Sequence, residues 1–230
     1  MTDPITITYF LAKYFGFPRW IASTAATGIS NQYDLFCVAS EGYKDLFIKK
    51  GADPDKIVVT GIPNFDNAKQ FLNNDFPHKN YVMVATSDAR ETFKIENRKK
   101  FILDTVKIAN GKQLLFKLHP NEKFERAKRE IEKYAPGALV YQQGNTNHMI
   151  ANCDVLITKY SSVVYIGLAL GKEVHSYFNI NDLKKLMPIQ NNGTSAERIA
   201  GIGKQMLEEH QIEKVDVLKE DFNVKQVMNH

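Results

Sequence analysis

Two stretches decide the reading of this chain: Lys117-Leu118-His119-Pro120-Asn121-Glu122 and Asp154-Val155-Leu156-Ile157-Thr158-Lys159-Tyr160-Ser161-Ser162. Each is an apolar run that stops abruptly at polar residues able to hold an anion. A short apolar run bounded by turn residues reads as a buried strand. In a parallel α/β sheet the carboxyl ends of such strands are where ligands bind. Two of them in one chain predict a site for a phosphorylated ligand.

Strands and helices alternate outward from these runs. Towards the N-terminus, Tyr81–Ala85 and Gln113–Leu118 read as strands, with amphipathic helices at Glu96–Ala109 and Glu122–Tyr134. Leu139–Gln142 reads as a short strand and Thr146–Asn152 as a short helix. After Val155–Thr158 come an apolar helix over Ser162–Leu170, a strand over Val174–Phe178, and a long helix over Ser195–His210 capped by Thr194 or Ser195. This alternation predicts a doubly wound α/β sheet of the Rossmann-like kind. An earlier βαβ unit precedes it: strand Asp34–Ala39, helix Glu41–Lys50 closed by Gly51, strand Lys56–Thr60 ended by Gly61 and Pro63. Asn64–Asn74 reads as a helix, and the polar stretch to Asn80 as a linker and domain boundary. Met1–Ser30 is apolar without a clean period. Two strands do not sustain an independent domain, so either this segment adds structure or the chain carries only the end of a larger first domain, whose apolar surface is then exposed or covered by self-association.

The chain has 230 residues, 43% hydrophobic and 24% charged, as in an ordinary globular protein. A formal net charge of +4 is mild and dispersed, and no basic stripe interleaved with aromatics speaks for nucleic acid. Cys37 and Cys153 fall in or beside buried strands without a pairing pattern, which fits a reducing compartment. No apolar run reaches the length of a spanning helix and no signal peptide is expected, so the cytoplasm, or the cytoplasmic face of a membrane, is the predicted location. The histidines and cysteines form no zinc pattern, so no metal is expected.

Several residues carry the predicted site. His119 at a strand end beside a helix start can donate to a phosphate oxygen or a sugar hydroxyl, or it can bond to the backbone as a loop histidine. Ser161 and Ser162 can hold a phosphate or cap the helix they open. Asn121 can cap the helix after His119. Thr86-Ser87-Asp88-Ala89-Arg90 follows another strand and offers hydroxyls, including Ser87, and the Arg90 guanidinium, without the glycine spacing of a dinucleotide loop. Lys159 adds positive charge at the same end but reads as a solvated lysine; Tyr141-Gln142-Gln143 end a strand and can meet a base edge, but read as side chains exposed to water; Gly61-Ile62-Pro63-Asn64 reads as a turn rather than a ligand contact.

Tyr33–Asn64, the Lys117–Glu122 motif and Cys153–Val174 together resemble the glycosyltransferase B fold, over roughly residues 33 to 205. The nearest groups are the UDP-N-acetylglucosamine 2-epimerases and the CDP-glycerol or capsule polysaccharide transferases. The resemblance implies two Rossmann-like domains facing across a cleft, the C-terminal one holding a nucleotide diphosphate. It divides the chain into residues 1–75, a remnant of a truncated N-terminal domain that extends upstream in the relatives; 80–210, a nucleotide-binding domain; and 211–230, a C-terminal tail. It places His119, Ser161 and Ser162 at the ligand, with Ser87 and Arg90 matching by place; Asn121, next to His119, is the further ligand contact expected. It implies a transferase of surface polysaccharide biosynthesis using a UDP-, CDP- or CMP-linked nucleotide-sugar or polyol as substrate, with no separate cofactor. A 2-epimerase or a non-catalytic binding module that kept the fold are the other readings. Two departures accompany it: Ile166 aligns where relatives hold the ribose with an acid, and Lys159 where a transferase often has Asp. The expected partners are the nucleotide-sugar and, over the short first domain, a second copy of the chain, with a peripheral place at the membrane compatible.

Overall fold

The computed structural model describes residues 14, 33–89, 91 and 96–209. The readings of Met1–Ser30, of Arg90 and of the tail 211–230 lie outside the described residues, apart from Tyr14.

A parallel sheet of five strands forms the larger part: β3 (Val82–Ala85), β4 (Leu114–Lys117), β5 (Leu139–Tyr141), β6 (Val155–Thr158) and β7 (Glu173–His175), in the order β5-β4-β3-β6-β7. Chain order runs outward in one direction from β3 and then resumes on its other side. That reversal, between β3 and β6, is the topological switch point of a doubly wound sheet.

Both faces of the sheet are buried, and the period-2 alternation of strands assigns each side chain. Val82, Val84, Leu114, Phe116, Val155 and Ile157 point into one core. Helices α2 (Arg98–Ala109) and α3 (Phe124–Tyr134) cover it. Tyr81, Met83, Ala85, Leu115 and Leu156 point into the other, against α4 (Thr146–Asn152) and α5 (Val164–Ala169). Cys153 belongs to this second core; burial pushes its thiol pKa up to about 12, so it acts as a small hydrophobe.

The smaller part holds β1 (Phe36–Val38) and β2 (Ile57–Val59), paired in parallel, with α1 (Glu41–Lys49) between them. Ser40 caps α1 with its hydroxyl, and Gly51 follows the helix at φ 95°. Among the described residues this unit leans on the rest of the chain. Tyr43 and Phe65 pack against Val164, Tyr165 and Leu183, and the Tyr43 and Tyr165 hydroxyls lie 3.0 Å apart.

Two C-terminal helices complete the attachment. α6 (Ile180–Leu186), absent from the sequence reading, passes so close to α1 that a Cβ on Gly42 would lie 2.0 Å from the Lys185 carbonyl oxygen. α7 (195–209) starts under β2. Its first amide, Ser195 N–H, donates to the buried Asp66 carboxylate at 2.9 Å, so its cap comes from 129 residues away rather than from Thr194 or Ser195. The Thr194 hydroxyl donates instead to the Asn191 carbonyl.

This docking explains the helix expected over Asn64–Asn74, which is a 3-10 turn at Ala68–Leu72 only. Phe65 O accepts from Gln190, Asp66 O from Asn191, and Ala68 N–H donates to Gln190 Oε1, so tertiary partners take the groups a helix would use. The strand expected to reach Phe178 ends at His175, where residues 176–178 turn out over the end of β6.

Gly61 sits at the centre of this contact with φ 79°, and a Cβ there would lie 2.4 Å from Ser195 Oγ. Gly171 also has positive φ (69°) but open space around it. We expect Gly171→Ala to cost about 1–2 kcal/mol from left-handed backbone alone, and Gly61→Ala clearly more, as read by urea unfolding. Equal losses would show that α7 does not seat on Gly61.

Candidate functional site

The register brings three strand ends to one level. Ala85 lies beside Lys117 on one side and Thr158 on the other. The next residues, Thr86, Leu118 and Lys159, therefore leave the sheet together at the switch point. Beyond them follow Ser87 and Asp88, His119 to Asn121, and Tyr160 to Ser162. The residues singled out from sequence thus converge on one edge, apart from Arg90, which is outside the described residues.

A buried polar network underlies these loops. Glu122, 8% exposed, accepts from His119 N–H at 2.9 Å and from the Thr86 hydroxyl through Oε2, and pairs with Arg98 through Oε1 at 3.0 Å. Arg98 lies 3.7 Å from Glu96, which pairs in turn with Lys159. Lys159 is not a solvated lysine. It is 6% exposed and its ammonium sits 4.1 Å over the Phe101 ring. Burial lowers its pKa, with Glu96 opposing that shift. Two carboxylates face Arg98 and Lys159, and the buried Lys117 ammonium, which donates to Leu118 O and Gln142 O, is a third cation beneath the same loops. The network fixes the loops. Thr158 Oγ1 is buried in the same region without a hydrogen-bond partner among the described residues.

Gln142 also departs from its surface reading. Its amide donates to Pro120 O at 3.2 Å and Glu122 O at 2.8 Å, while Lys117 Nζ donates to Gln142 O at 2.8 Å. The end of β5 is thereby tied to the loop that carries His119.

His119 is part-exposed. Its Nδ1 accepts from Asn121 N–H at 3.2 Å, so in the neutral ring the proton sits on Nε2 and leaves a donor for a ligand. Asn121 does not cap α3. The capping position is Lys123, without a side-chain bond, and Asn121 Nδ2 donates to Asp88 at 3.1 Å. Nor do the serines cap α5. Its capping position is Val163, again without a side-chain bond. Ser161 and Ser162 accept helix-entry amides from Val164 and Tyr165 through their carbonyls, and their hydroxyls have no partner among the described residues. Ser87 is half-buried and its hydroxyl is likewise unbonded among the described residues. Ile166 is 1% exposed in the core around Leu156 and does not face the strand ends.

Sequence reasoning missed Glu96, Glu122 and Arg98 as a unit. The signal was present: Arg98 shares the buried stripe of α2 with Phe101, Ile102, Thr105 and Ala109. A charge on an apolar stripe requires a buried partner.

The strand order, the two buried faces and the switch-point loops define a Rossmann-like unit of the glycosyltransferase B type. Residues 20–177 match the family model of CDP-glycerol:poly(glycerophosphate) glycerophosphotransferases, and the chain belongs to that family. No curated protein sequence matches it significantly. Among solved structures it is similar to the UDP-N-acetylglucosamine 2-epimerase of Neisseria meningitidis, with 13% identity, a TM-score of 0.55, and 87% of this chain covering 80% of that one. It is also similar to the epimerase of Methanocaldococcus jannaschii, with 13% identity, a TM-score of 0.54, and coverage of 81% and 63%. A variant of the wall teichoic acid polymerase TagF soaked with CDPG aligns with 14% identity, a TM-score of 0.50, and coverage of 78% and 59%. At such identities the likeness is one of fold. The chain spans less than two thirds of the length of the last two.

Removing one partner of a buried ion pair costs about 3–5 kcal/mol. Glu122→Ala is expected to destabilise by that order in chemical denaturation, and the double variant Arg98→Met with Glu122→Leu by less than the two single losses added. Strict additivity would show that the pair does not couple.

Proposed function

We propose that this chain is the nucleotide-binding part of a transferase that builds a cell-surface polymer, and that its donor is a CDP-linked polyol, CDP-glycerol in the first instance. The observation that carries this is the family match over residues 20–177, which spans the loops at the switch point. In such a transfer an acceptor hydroxyl attacks the polyol-bearing phosphorus, the diphosphate P–O bond breaks, and CMP leaves with the bonding electrons. The protein must hold a diphosphate and stabilise the charge that develops on the leaving phosphate.

The groups available for that are the free hydroxyls of Ser87, Ser161 and Ser162, the Nε2 proton of His119, and the Asn121 amide beside it. Arg90 joins them on sequence grounds as a candidate cation. The diphosphate would lie across the ends of β3, β4 and β6. No separate cofactor is required by this reading. A UDP-linked sugar as donor remains within the same site chemistry, as does the 2-epimerase reading, and the ligand tells them apart.

A thermal-shift panel of CDP-glycerol, CDP, CMP, UDP and UDP-N-acetylglucosamine tests the proposal. A ligand at 100 times its Kd stabilises by about 2.7 kcal/mol. We expect CDP-glycerol and CDP to raise Tm, and His119→Ala and Ser161→Ala to weaken that shift without lowering the Tm of the free protein. A shift by UDP-N-acetylglucosamine alone would replace the proposal with the epimerase reading. Absence of any nucleotide shift would support a non-catalytic module.

A further inference from the structure

A second cavity opens beside the switch point, on the α2 face of the sheet next to the edge strand β7. It has a volume of about 250 Å³ and is lined by Phe101, Asp104, Ile108, Ile157, His175 and Tyr177, among others. At one end stand three exposed aromatic side chains, with Tyr160 in edge-to-face contact with each of the other two. Tyr160 lies 5.3 Å from Tyr177 at 89° and 5.2 Å from Phe178 at 73°. They are 65%, 59% and 49% exposed, respectively. Three large rings held in fixed geometry yet open to solvent form an apolar patch of the kind that marks a binding site. The turn that presents them is rigid: Ser176 Oγ donates to Lys159 O at 3.0 Å, Tyr177 N–H donates to the same oxygen at 3.4 Å, and Phe178 N–H donates to Ser176 Oγ at 3.2 Å.

We propose that this groove binds a neutral sugar ring stacked on Tyr177, on the ring face away from the Lys159 ammonium, which lies 5.7 Å from the Tyr177 ring centre. The negative face of an aromatic ring receives the slightly positive C–H edge of a sugar. Asp104 on α2 offers a carboxylate that accepts from ring hydroxyls, and His175 on β7, whose Nε2–H donates to the Glu173 carboxylate at 2.9 Å, offers Nδ1 of the neutral ring as a second acceptor. The volume is enough for one sugar residue. Asp104 in the lining, and Glu173 2.9 Å from His175, disfavour a phosphate or an anionic lipid headgroup. Lys100, the nearest cation on α2, is already paired with Asp104 at 3.1 Å. The site does not depend on the nucleotide reading, but its place beside the Ser161-Ser162 loop suits a sugar of the acceptor chain.

Saturation-transfer NMR on the full chain tests this, with an N-acetylglucosamine disaccharide, maltose and glycerol as probes. We expect transfer to disaccharide ring protons, weakened roughly tenfold in affinity by Tyr177→Ala and restored by Tyr177→Phe, with CDP-glycerol binding untouched. Because Tyr177 is exposed, the variant should melt like the parent. Absence of transfer to either disaccharide overturns the proposal, as does binding that Tyr177→Ala leaves unchanged. Co-sedimentation with phosphatidylglycerol vesicles that needs Tyr160, Tyr177 and Phe178, without sugar binding, would assign the patch to a membrane surface and overturn it as well.

Discussion

The Arg98–Glu122 ion pair is the interaction on which the carboxyl edge of the sheet depends. Taking two such charges out of water costs several kcal/mol per ion. The structure offsets that cost with partners drawn from four separate segments: Glu96 before α2, Thr86 after β3, the His119 amide after β4, and Lys159 after β6. Removing any one segment leaves a buried charge short of a partner. The loops are therefore specified together. An apolar pair would fill the same volume, yet it would not fix the His119 amide or the Thr86 hydroxyl.

A second constraint links the early and late described segments. Among the described residues the first sheet has two strands, too few to bury its own faces. Its support among those residues comes from α5, α6 and α7, through Tyr165, the Lys185 backbone and Ser195. Asp66 and Gly61 hold the start of α7, so the turn at residues 61–66 is a docking surface for the last described helix.

Strands were legible because burial on both faces leaves continuous apolar runs, and Val155–Thr158 and the helix Thr146–Asn152 fall where the pattern puts them. What stayed hidden depends on distant partners. Asn64–Asn74 has helical composition, but Gln190 and Asn191 compete for its backbone groups. α6 is short and its anchor is backbone contact with Gly42, which leaves no periodic signal. Caps failed for a similar reason: Asp66 replaces a local cap on α7, and Asn121 is drawn to Asp88. Within the site, sequence located His119, Ser161 and Ser162 just beyond strand ends, and the register brings the last residues of β3, β4 and β6 to one level. It misread Lys159 and Gln142, because a polar residue next to a turn looks solvated until the network beneath it is known.

Ile166 shows how packing changes a functional argument. Set against relatives that hold the ribose with an acid, an isoleucine at that position reads as a lost site. In the structure its side chain is 1% exposed and packs with Leu156, Met83 and Ala85 beneath the sheet. A carboxylate there would be buried among apolar atoms without a cation, at a cost of several kcal/mol, and would protonate rather than bind a hydroxyl. The apolar residue thus follows from how α5 seats on β6, with Gly167 so close that an added Cβ would lie 2.7 Å from the Leu156 side chain. Its identity reports helix packing and carries no information on whether a ligand is bound.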